Sequence, residues 1–250
     1  MAAEQTEAYK RFDQIVTVTE KAVEGFKKEL APEFEPVVIP NLMDMKNIHQ
    51  AALEPIEAVT DEGTVKLVTT GRLEESKGFD KQLHGFKRLR DEGVNVHLTI
   101  IEEGTERKNV EDYVEQHHLN KEGSLLGFQK NPYKFMNEAD VFVCSSLSEG
   151  YSLVVTEALV LGKAIVSTRC ADPRELLNNR EYGVLIDINA EDLYRGLKSM
   201  IQDSKTRKYF ACKARERGKM FDPKRQLHEI EQVLISEPFE GSVDDLKFRS

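Results

Sequence analysis

The stretch that decides the fold is Ala139-Asp-Val-Phe-Val-Cys144-Ser-Ser-Leu-Ser-Glu149-Gly150-Tyr-Ser-Leu-Val-Val-Thr-Glu157-Ala158. Its apolar β-branched and aromatic residues are followed by small polar residues, by Glu-Gly and by a helix-forming segment. This order predicts a strand, a tight turn and a helix start. In an open parallel sheet, ligands lie outside the carboxyl ends of the strands, where the N–H groups of a helix start attract anions. The stretch therefore predicts an anion site, and two glutamates at such a site need an explanation.

Strand and helix patterns alternate on both sides of this stretch, from residue 65 to residue 202. Short strands separated by helices imply right-handed crossovers, so we predict an α/β fold with a doubly wound parallel, Rossmann-like sheet. The predicted strands cover residues 65–69, 94–101, 124–126, 140–144, 164–167 and 183–186. The predicted helices cover residues 79–92, 106–118, 132–137, 152–161, 172–177, 192–202, 205–219 and 223–235.

The first 44 residues follow a different pattern, with helices predicted over 4–12 and 20–30 and strands over 15–19 and 37–39. Two short strands and one connecting helix cannot bury both faces of a sheet, so the first 40 residues must pack on another domain, on a partner or on the domain that follows. Residues 45–64 contain Pro55 and Gly63 and are predicted to be an irregular linker. The main domain is then expected over 65–237, followed by a polar tail over 238–250.

Composition limits the classes of function. The chain has 250 residues, 40% of them hydrophobic, with a formal net charge of -9, which argues against a general nucleic-acid binder. No apolar run approaches the roughly 20 residues of a membrane span, and the start lacks the features of a signal peptide, so we expect a cytoplasmic protein. The three cysteines are odd in number and far apart, and they indicate neither a disulfide framework nor a zinc site.

A first candidate for chemistry is Gly71-Arg72-Leu73 followed by Lys77-Gly78-Phe79, directly after the first strand of the alternating region. Two cations at the carboxyl end of a strand can reach a diphosphate, and the two glycines permit a close approach of the backbone. The alternative is a solvated loop. The P-loop pattern Gly-x-x-x-x-Gly-Lys-Ser/Thr is absent.

Two further stretches follow later strands. Residues 101–107, Ile-Glu-Glu-Gly-Thr-Glu-Arg, are interpreted as a helix start with Thr105 as the N-cap residue. In the stretch quoted first, Glu149 is expected beside the backbone amides of residues 151–153, and Glu157 one to two helical turns further on. Both carboxylates are suited to accept hydrogen bonds from sugar hydroxyls in one pocket. The alternative is that Glu149 caps the helix and Glu157 makes a surface ion pair.

The combination of these motifs resembles a known family. Gly71-Arg72-Leu73 with Lys77-Gly78, then Gly127-Phe128, Ser145-Ser146-x-x-Glu149-Gly150 with Glu157-Ala158 and Gly162, and finally Thr168 and Glu175 resemble the nucleotide-sugar half of family 4 retaining glycosyltransferases of the GT-B fold. The resemblance runs from about Asp13 to Ile235. The segment Ile39-Pro-Asn41-x-x-Asp44 is similar to the interdomain segment of that family.

The resemblance implies roles for particular residues. Arg72 and Lys77 would hold the donor diphosphate and stabilise the leaving phosphate, with Gly71 beside them, and Glu149 would contact the transferred sugar. These three side chains, Arg72, Lys77 and Glu149, are the implied catalytic residues. Glu157 would bind the ribose hydroxyls. Backbone amides for the sugar and the β-phosphate would come from Gly150, Tyr151, Ser152, Leu153 and Val154. The implied chemistry is glycosyl transfer with retention from a UDP-linked sugar, without a metal ion or another cofactor.

The sequence also departs from the family pattern. Glu102 stands where the family usually has glycine, Ala164 where proline is common, and Ala171-Asp172 where glycine is common. A carboxylate at Asp172 is expected to face the donor phosphates.

From the resemblance, we expect residues 1–44 to be only a remnant of the family's N-terminal Rossmann domain, which usually carries the acceptor site. We therefore expect a partial enzyme that binds a nucleotide sugar weakly and transfers little alone. Its glycan or lipid-linked acceptor would be reached through the missing domain, and the full enzyme would associate peripherally with a membrane. A GT-B epimerase or phosphorylase fragment and a non-catalytic nucleotide-sugar-binding or interaction module remain alternatives.

Overall fold

The computed structural model describes residues 2–30, 33–56 and 63–235. Its contacts divide the chain into two compact units, one formed by Met43–Asp222 and the other by the residues up to Leu42 together with those from Pro223 onward. This grouping differs from the domain boundaries expected from the sequence, which kept residues 223–237 with the larger domain. Each unit is described separately.

The smaller unit contains the two short strands expected near the N-terminus. Its helices are α1 (Ala2–Tyr9), α2 (Glu20–Glu29) and α11 (Pro223–Ile235), and its strands β1 (Val16–Thr17) and β2 (Val37–Val38) pair in parallel. The buried Gln226 of α11 donates hydrogen bonds from Nε2 to the carbonyl oxygens of Pro40 and Asn41, at 3.3 and 3.1 Å. These bonds explain why the last helix groups with the N-terminal segment.

The larger unit is built on six parallel strands in the order β5-β4-β3-β6-β7-β8. They are β3 (Val65–Thr70), β4 (Val96–Ile101), β5 (Gly123–Leu125), β6 (Val141–Cys144), β7 (Ala164–Thr168) and β8 (Val184–Ile186). The chain builds the sheet outward from β3 in one direction and then outward from β6 in the other, so the order reverses between these two strands. This reversal confirms the predicted doubly wound sheet, and it creates the crevice at which such folds bind ligands.

Helices cover both faces of this sheet. Alternate strand residues point to opposite faces: Val141 and Val143 belong to one apolar cluster, whereas Phe142 and Cys144 belong to a second. The first cluster includes residues of α4 (Phe79–Asp91), α5 (Arg107–Gln116) and α9 (Ala190–Gln202). The second includes residues of α3 (Met45–Ala51), α6 (Tyr133–Glu138), α7 (Leu153–Val160), α8 (Ala171–Leu176) and α10 (Ser204–Gly218).

The expectation that residues 45–64 are irregular is wrong for the first part of that segment, because helix α3 covers Met45–Ala51. The Asp44 side chain caps this helix by accepting a hydrogen bond from the Asn47 amide at 3.0 Å. Ile48 is buried in the same cluster as the α7 side chains. A helix of two turns with one central apolar residue has too weak a pattern to be recognised from sequence, and tertiary burial stabilises it.

No helix within residues 2–30, 33–56 and 63–235 is long and apolar enough to cross a membrane. In the same ranges, no group of three or more histidine, cysteine, aspartate or glutamate side chains is arranged to hold a metal ion.

Candidate active site

A cavity of about 320 Å³ opens at the carboxyl ends of β3 and β6, where the strand order reverses. Its position follows from the topology, since the loops after these two strands diverge to opposite faces of the sheet. The cavity is lined by Thr69, Thr70, Gly71, Arg72, Lys77, Phe79, Glu102, Cys144, Ser145, Ser146, Glu149, Tyr151, Ser152, Leu153 and Val154.

Most of the residues singled out from the sequence therefore come together. The cavity unites two segments, which we call the β3 loop (residues 71–78) and the β6 turn (residues 145–152), with the first residues of α7. Gly150 and Glu157 were predicted to bind the donor but are not among the lining residues. Their contribution to binding stays a prediction.

Lys77 and Glu149 form an ion pair across the cavity. The distance from Lys77 Nζ to Glu149 Oε1 is 2.7 Å, and the side chains are 22% and 9% exposed. Ser146 Oγ donates a hydrogen bond to the same carboxylate oxygen at 2.6 Å. The alternative in which Glu149 caps helix α7 is wrong, because its carboxylate is held by a lysine and a serine instead.

The backbones of the β3 loop and the β6 turn are also joined. The Leu147 amide donates to the Ser76 carbonyl oxygen at 2.8 Å. The Ser145 hydroxyl lies 2.7 Å from the Lys77 carbonyl oxygen and 2.9 Å from Gln82 Oε1. Ser145 and Ser146 were noticed in the sequence only as part of a motif, and their work of fixing Lys77 and Glu149 was missed.

Gly78 shows why glycine is required at this junction. Its φ is +63°, and a Cβ atom there would lie under 3.0 Å from the Ser145 carbonyl oxygen. At Gly78 the close approach is to the backbone of the β6 turn, and the predicted approach of this glycine to a diphosphate stays a prediction. Gly71 has nothing within 4 Å of the corresponding position, so its surroundings leave space for a bound molecule.

Arg72 differs from Lys77 in its surroundings. Its side chain is 75% exposed, and Nη1 lies 3.1 Å from Glu74 Oε1. Such an exposed ion pair contributes little to stability. The guanidinium at the rim of the cavity is therefore able to reorient toward an anion at small cost.

The start of helix α7 is occupied by a carboxylate from another element. Asp172, in the first turn of α8, accepts a hydrogen bond through Oδ2 from the Ser152 amide, and Ser152 is the N-cap residue of α7. Burial raises the pKa of Asp172 to about 7, the bond from the Ser152 amide opposes that change, and the charges of Glu175 and Glu149 add to it. The sequence placed Asp172 near the donor phosphates, but only the structure shows which amide it contacts.

Glu157 contacts an aromatic hydroxyl. Tyr133 of α6 donates a hydrogen bond from its hydroxyl to Glu157 Oε1 at 2.9 Å. Burial raises the pKa of Glu157, and the bond from Tyr133 partly opposes that change. The alternative of a surface ion pair for Glu157 is therefore wrong. Sequence reasoning gave Tyr133 no role. Tyr133 and Glu157 lie on different helices, and no local sequence pattern indicates that their side chains are in contact.

The loop after β4 brings one more carboxylate to the cavity. Glu102 lines the cavity with φ at +117°, a conformation that favours glycine and typically costs about 1–3 kcal/mol for other residues. The interpretation of Thr105 as an N-cap is wrong, because Glu106 takes that position without a side-chain bond. The loop instead pairs with the β3 loop, since the Leu73 amide donates to Glu103 O and the Glu106 amide to Leu73 O, at 2.9 and 2.8 Å.

The geometry agrees with a family comparison. A family model described as glycosyl transferases group 1 matches residues 54–217, which include every residue that lines the cavity. The chain belongs to this family.

Individual members of the family show how much of a relative this chain represents. A 4-alpha-N-acetylgalactosaminyltransferase of Campylobacter jejuni, named as acting on N-acetylgalactosamine-N,N'-diacetylbacillosaminyl-diphospho-undecaprenol, is 34% identical over 187 residues, which cover 74% of this chain and 49% of that protein. An uncharacterized glycosyltransferase of Methanocaldococcus jannaschii is 29% identical over 263 residues, covering 90% and 64%. The present chain thus spans about half to two thirds of the length of these two relatives.

A solved structure shows the fold. Anabaena HepE in complex with UDP aligns with a TM-score of 0.78 at 17% identity, over 93% of this chain and 66% of that one. At this identity the similarity concerns the fold alone, and it confirms the predicted GT-B relationship.

Proposed function

We propose that this chain is the donor-binding domain of a retaining glycosyltransferase. The donor would be a nucleoside-diphosphate sugar, UDP-linked, and the acceptor a glycan or a lipid-linked sugar. The observation that supports the proposal best is the cavity that unites Arg72, Lys77 and Glu149 with the start of helix α7. Family membership supports sugar transfer as the general reaction.

The diphosphate would lie between the β3 loop and the start of α7. The first amides of a helix have no partner within the helix and carry a partial positive charge, so they bind phosphate oxygens. Arg72 would swing from Glu74 to a phosphate from the solvent side, and Lys77 would contact it from inside the cavity. When the sugar leaves, negative charge develops on the phosphate, and these two cations would stabilise the transition state more than the ground state.

Glu149 would contact the transferred sugar. Its buried carboxylate has accepting capacity beyond the bonds from Lys77 and Ser146, and sugar hydroxyls are suitable donors. With the diphosphate and the acceptor on the same face of the sugar, the attack would proceed with retention. Glu157 would contact the ribose hydroxyls only after the Tyr133 hydroxyl gives up or shares its oxygen.

The acceptor is proposed to bind a second domain, of the kind that the longer relatives have room for beyond the matched region. The name of the Campylobacter jejuni protein contains a diphospho-undecaprenol acceptor, which supports a lipid-linked acceptor and peripheral membrane association for a full enzyme. Catalysis requires donor and acceptor to be held together. The 250 residues alone are expected to bind the donor weakly and to transfer little.

Titration calorimetry with UDP tests the donor site. We expect wild-type protein to bind UDP and Lys77→Ala to weaken that binding by about tenfold or more, as the loss of one charge-assisted contact implies. Lys198→Ala is the matched control, because Lys198 Nζ forms an ion pair of the same length, 2.7 Å, with Glu92 away from the cavity. Absence of UDP binding by the wild-type protein would favour a non-catalytic interaction module. Phosphate-dependent cleavage or epimerisation of a bound UDP-sugar would favour the phosphorylase or epimerase alternative.

A further inference from the structure

The start of helix α7 already holds an anion that belongs to the protein. The Asp172 side chain is only 1% exposed, and its Oδ2 accepts the hydrogen bond of the Ser152 amide. Ser152 also lines the cavity. Because a helix N-terminus attracts phosphate through the same amides, a donor phosphate and the Asp172 carboxylate would compete for one place.

A second observation shows that this arrangement is incomplete. Asp172 Oδ1 and Ser152 Oγ are both buried, and neither has a hydrogen-bond partner in the described part of the chain. A buried polar atom without a partner destabilises the fold, because it has lost its hydrogen bonds to water without a replacement. Two such atoms in neighbouring residues indicate a site that is completed by a proton on the carboxyl group or by a bound group with its own oxygens.

The charges around Asp172 are negative. Glu175 lies on the same helix α8, and Glu149 lies in the β6 turn that precedes α7; both raise the pKa of Asp172, as does burial, the largest cause. Tyr151, in the same turn, faces Asp172 as a neutral phenol whose pKa is itself raised by burial and by the Asp172 charge. A dianionic phosphate bound at the start of α7 would be repelled by the charges of Asp172, Glu175 and Glu149. Protonation of Asp172 would remove one of these charges.

We propose that Asp172 is an internal competitor for the donor phosphate, and that a nucleoside diphosphate binds as Asp172 takes up one proton from solvent. This inference rests on the proposed donor site and adds the control of its affinity. In the unliganded protein the Asp172 carboxylate accepts the hydrogen bond of the Ser152 amide. In the complex the neutral carboxyl group donates its proton in a hydrogen bond to a phosphate oxygen, and the amide is released to the ligand.

The size of the effect follows from the protonated fraction. A carboxyl group with a pKa of about 7 is about 10% protonated at pH 8 and about 90% protonated at pH 6. If the protonated form alone is competent, the apparent affinity falls by about the competent fraction. Wild-type protein should therefore bind UDP about tenfold more weakly at pH 8 than its intrinsic affinity, and this loss should nearly vanish at pH 6.

The experiment is calorimetric titration of UDP into wild-type, Asp172→Asn and Asp172→Ser proteins at pH 6 and pH 8. Asp172→Asn keeps an oxygen acceptor for the Ser152 amide without the charge, and Asp172→Ser shortens the side chain. At pH 8 both variants should bind UDP about tenfold more tightly than wild type, and at pH 6 the difference should shrink to within about threefold. The phosphate of UDP also titrates near pH 6. Because the two variants lack the Asp172 carboxyl group, the pH dependence of their UDP affinity measures the contribution of the UDP phosphate alone.

Proton uptake is the second readout. Titrations at pH 8 in buffers of different ionisation enthalpy should show about one more proton taken up by wild type than by Asp172→Asn. The matched control is Asp187→Asn, which removes an aspartate that is 69% exposed at the edge of the sheet and should change neither affinity nor proton uptake.

The outcomes separate the two proposals. If no protein binds UDP at either pH, the proposed donor site itself fails. If wild type binds UDP in a Lys77-dependent manner but has the affinity and proton uptake of Asp172→Asn at pH 8, the donor site stands and the role of Asp172 is refuted. If one Asp172 variant does not fold, as judged by thermal melting, the other Asp172 variant decides between the outcomes. Wild type and Asp187→Asn should take up the same number of protons, because Asp187→Asn retains Asp172.

Discussion

The two walls of the cavity differ in how firmly the unliganded protein holds them. In the β6 turn, Ser145, Ser146 and Ser152 are buried, and the Glu149 carboxylate is bound by Lys77 and Ser146. In the β3 loop the backbone is bonded to the neighbouring loops at Leu73, Ser76 and Lys77, whereas the Arg72 side chain near its start is solvent-exposed. The Glu149 carboxylate is therefore held in place before a ligand arrives, whereas the Arg72 guanidinium is exposed to solvent.

This difference separates residues that hold the site from residues that only bind. Side chains of the β6 turn, together with Lys77 and Gly78 of the β3 loop, should affect both the stability of the fold and the affinity for a nucleotide. Arg72 should affect affinity alone. Four predictions test this division, in order of decreasing effect on the free energy of unfolding.

The largest effect is expected from Gly78→Ala. The added Cβ atom would collide with the Ser145 carbonyl oxygen, and the left-handed φ of +63° would be strained, so we expect a loss of about 3 kcal/mol in the free energy of unfolding. Urea denaturation measures it. Gly150→Ala is the control in the β6 turn, where nothing lies within 4 Å, and it should change the free energy by under about 0.5 kcal/mol. Equal stability of the two variants would mean that the walls are not in contact at Gly78.

Lys77→Ala should cost about 2 kcal/mol, because it leaves the nearly buried Glu149 carboxylate without its cation. Lys198→Ala breaks a more exposed pair of the same length and should lower the free energy of unfolding by much less than Lys77→Ala does, because solvent screens the pair. Adding Glu149→Gln to Lys77→Ala should recover about half of the loss, since the uncompensated charge is then removed. A double variant less stable than Lys77→Ala would contradict this account of the ion pair.

The pH dependence of stability tests the contact between the Asp172 carboxylate and the Ser152 amide of the β6 turn. Because the folded-state pKa of Asp172 is raised to about 7, above about 3.9 in the unfolded chain, the folded protein binds the extra proton between these values. Its contribution to stability is fully present below about pH 4 and is lost as the pH rises to about 7. Asp172→Asn should not show this loss, and between pH 5 and pH 8 its free energy of unfolding should exceed that of wild type by about 1–2 kcal/mol. Parallel stability curves for the two proteins would contradict the assigned direction.

Arg72→Ala should have the smallest effect on stability, under about 0.5 kcal/mol, because its side chain is 75% exposed and its pair with Glu74 is screened by solvent. UDP affinity should nevertheless fall by about tenfold. Stability and affinity are then uncoupled at Arg72 and coupled at Lys77. A loss of stability at Arg72 equal to that at Lys77 would remove the distinction between the two ends of the β3 loop.

Local patterns predicted most of the fold. Each of the six strands of the larger unit was expected within a few residues, and the crevice after β3 and β6 was expected to hold Arg72, Lys77 and Glu149. Helix α3 was missed because its pattern is short, and Thr105 was assigned as a cap that the structure gives to Glu106. In both cases contacts with distant segments outweigh the local preference, which is worth under about 1 kcal/mol per residue.

What the sequence by itself determined was the parallel sheet and the edge of the sheet at which the site lies, because the strand-turn-helix order and the alternation of elements are local properties of the chain. Only the tertiary structure decided how the charged groups are paired. Lys77 meets Glu149 across 72 positions, Tyr133 meets Glu157 across 24, and Asp172 meets Ser152 across 20. These pairs are set by how the loops and helices pack at the ends of the strands, and no periodic pattern in the sequence encodes a single contact between two separate elements.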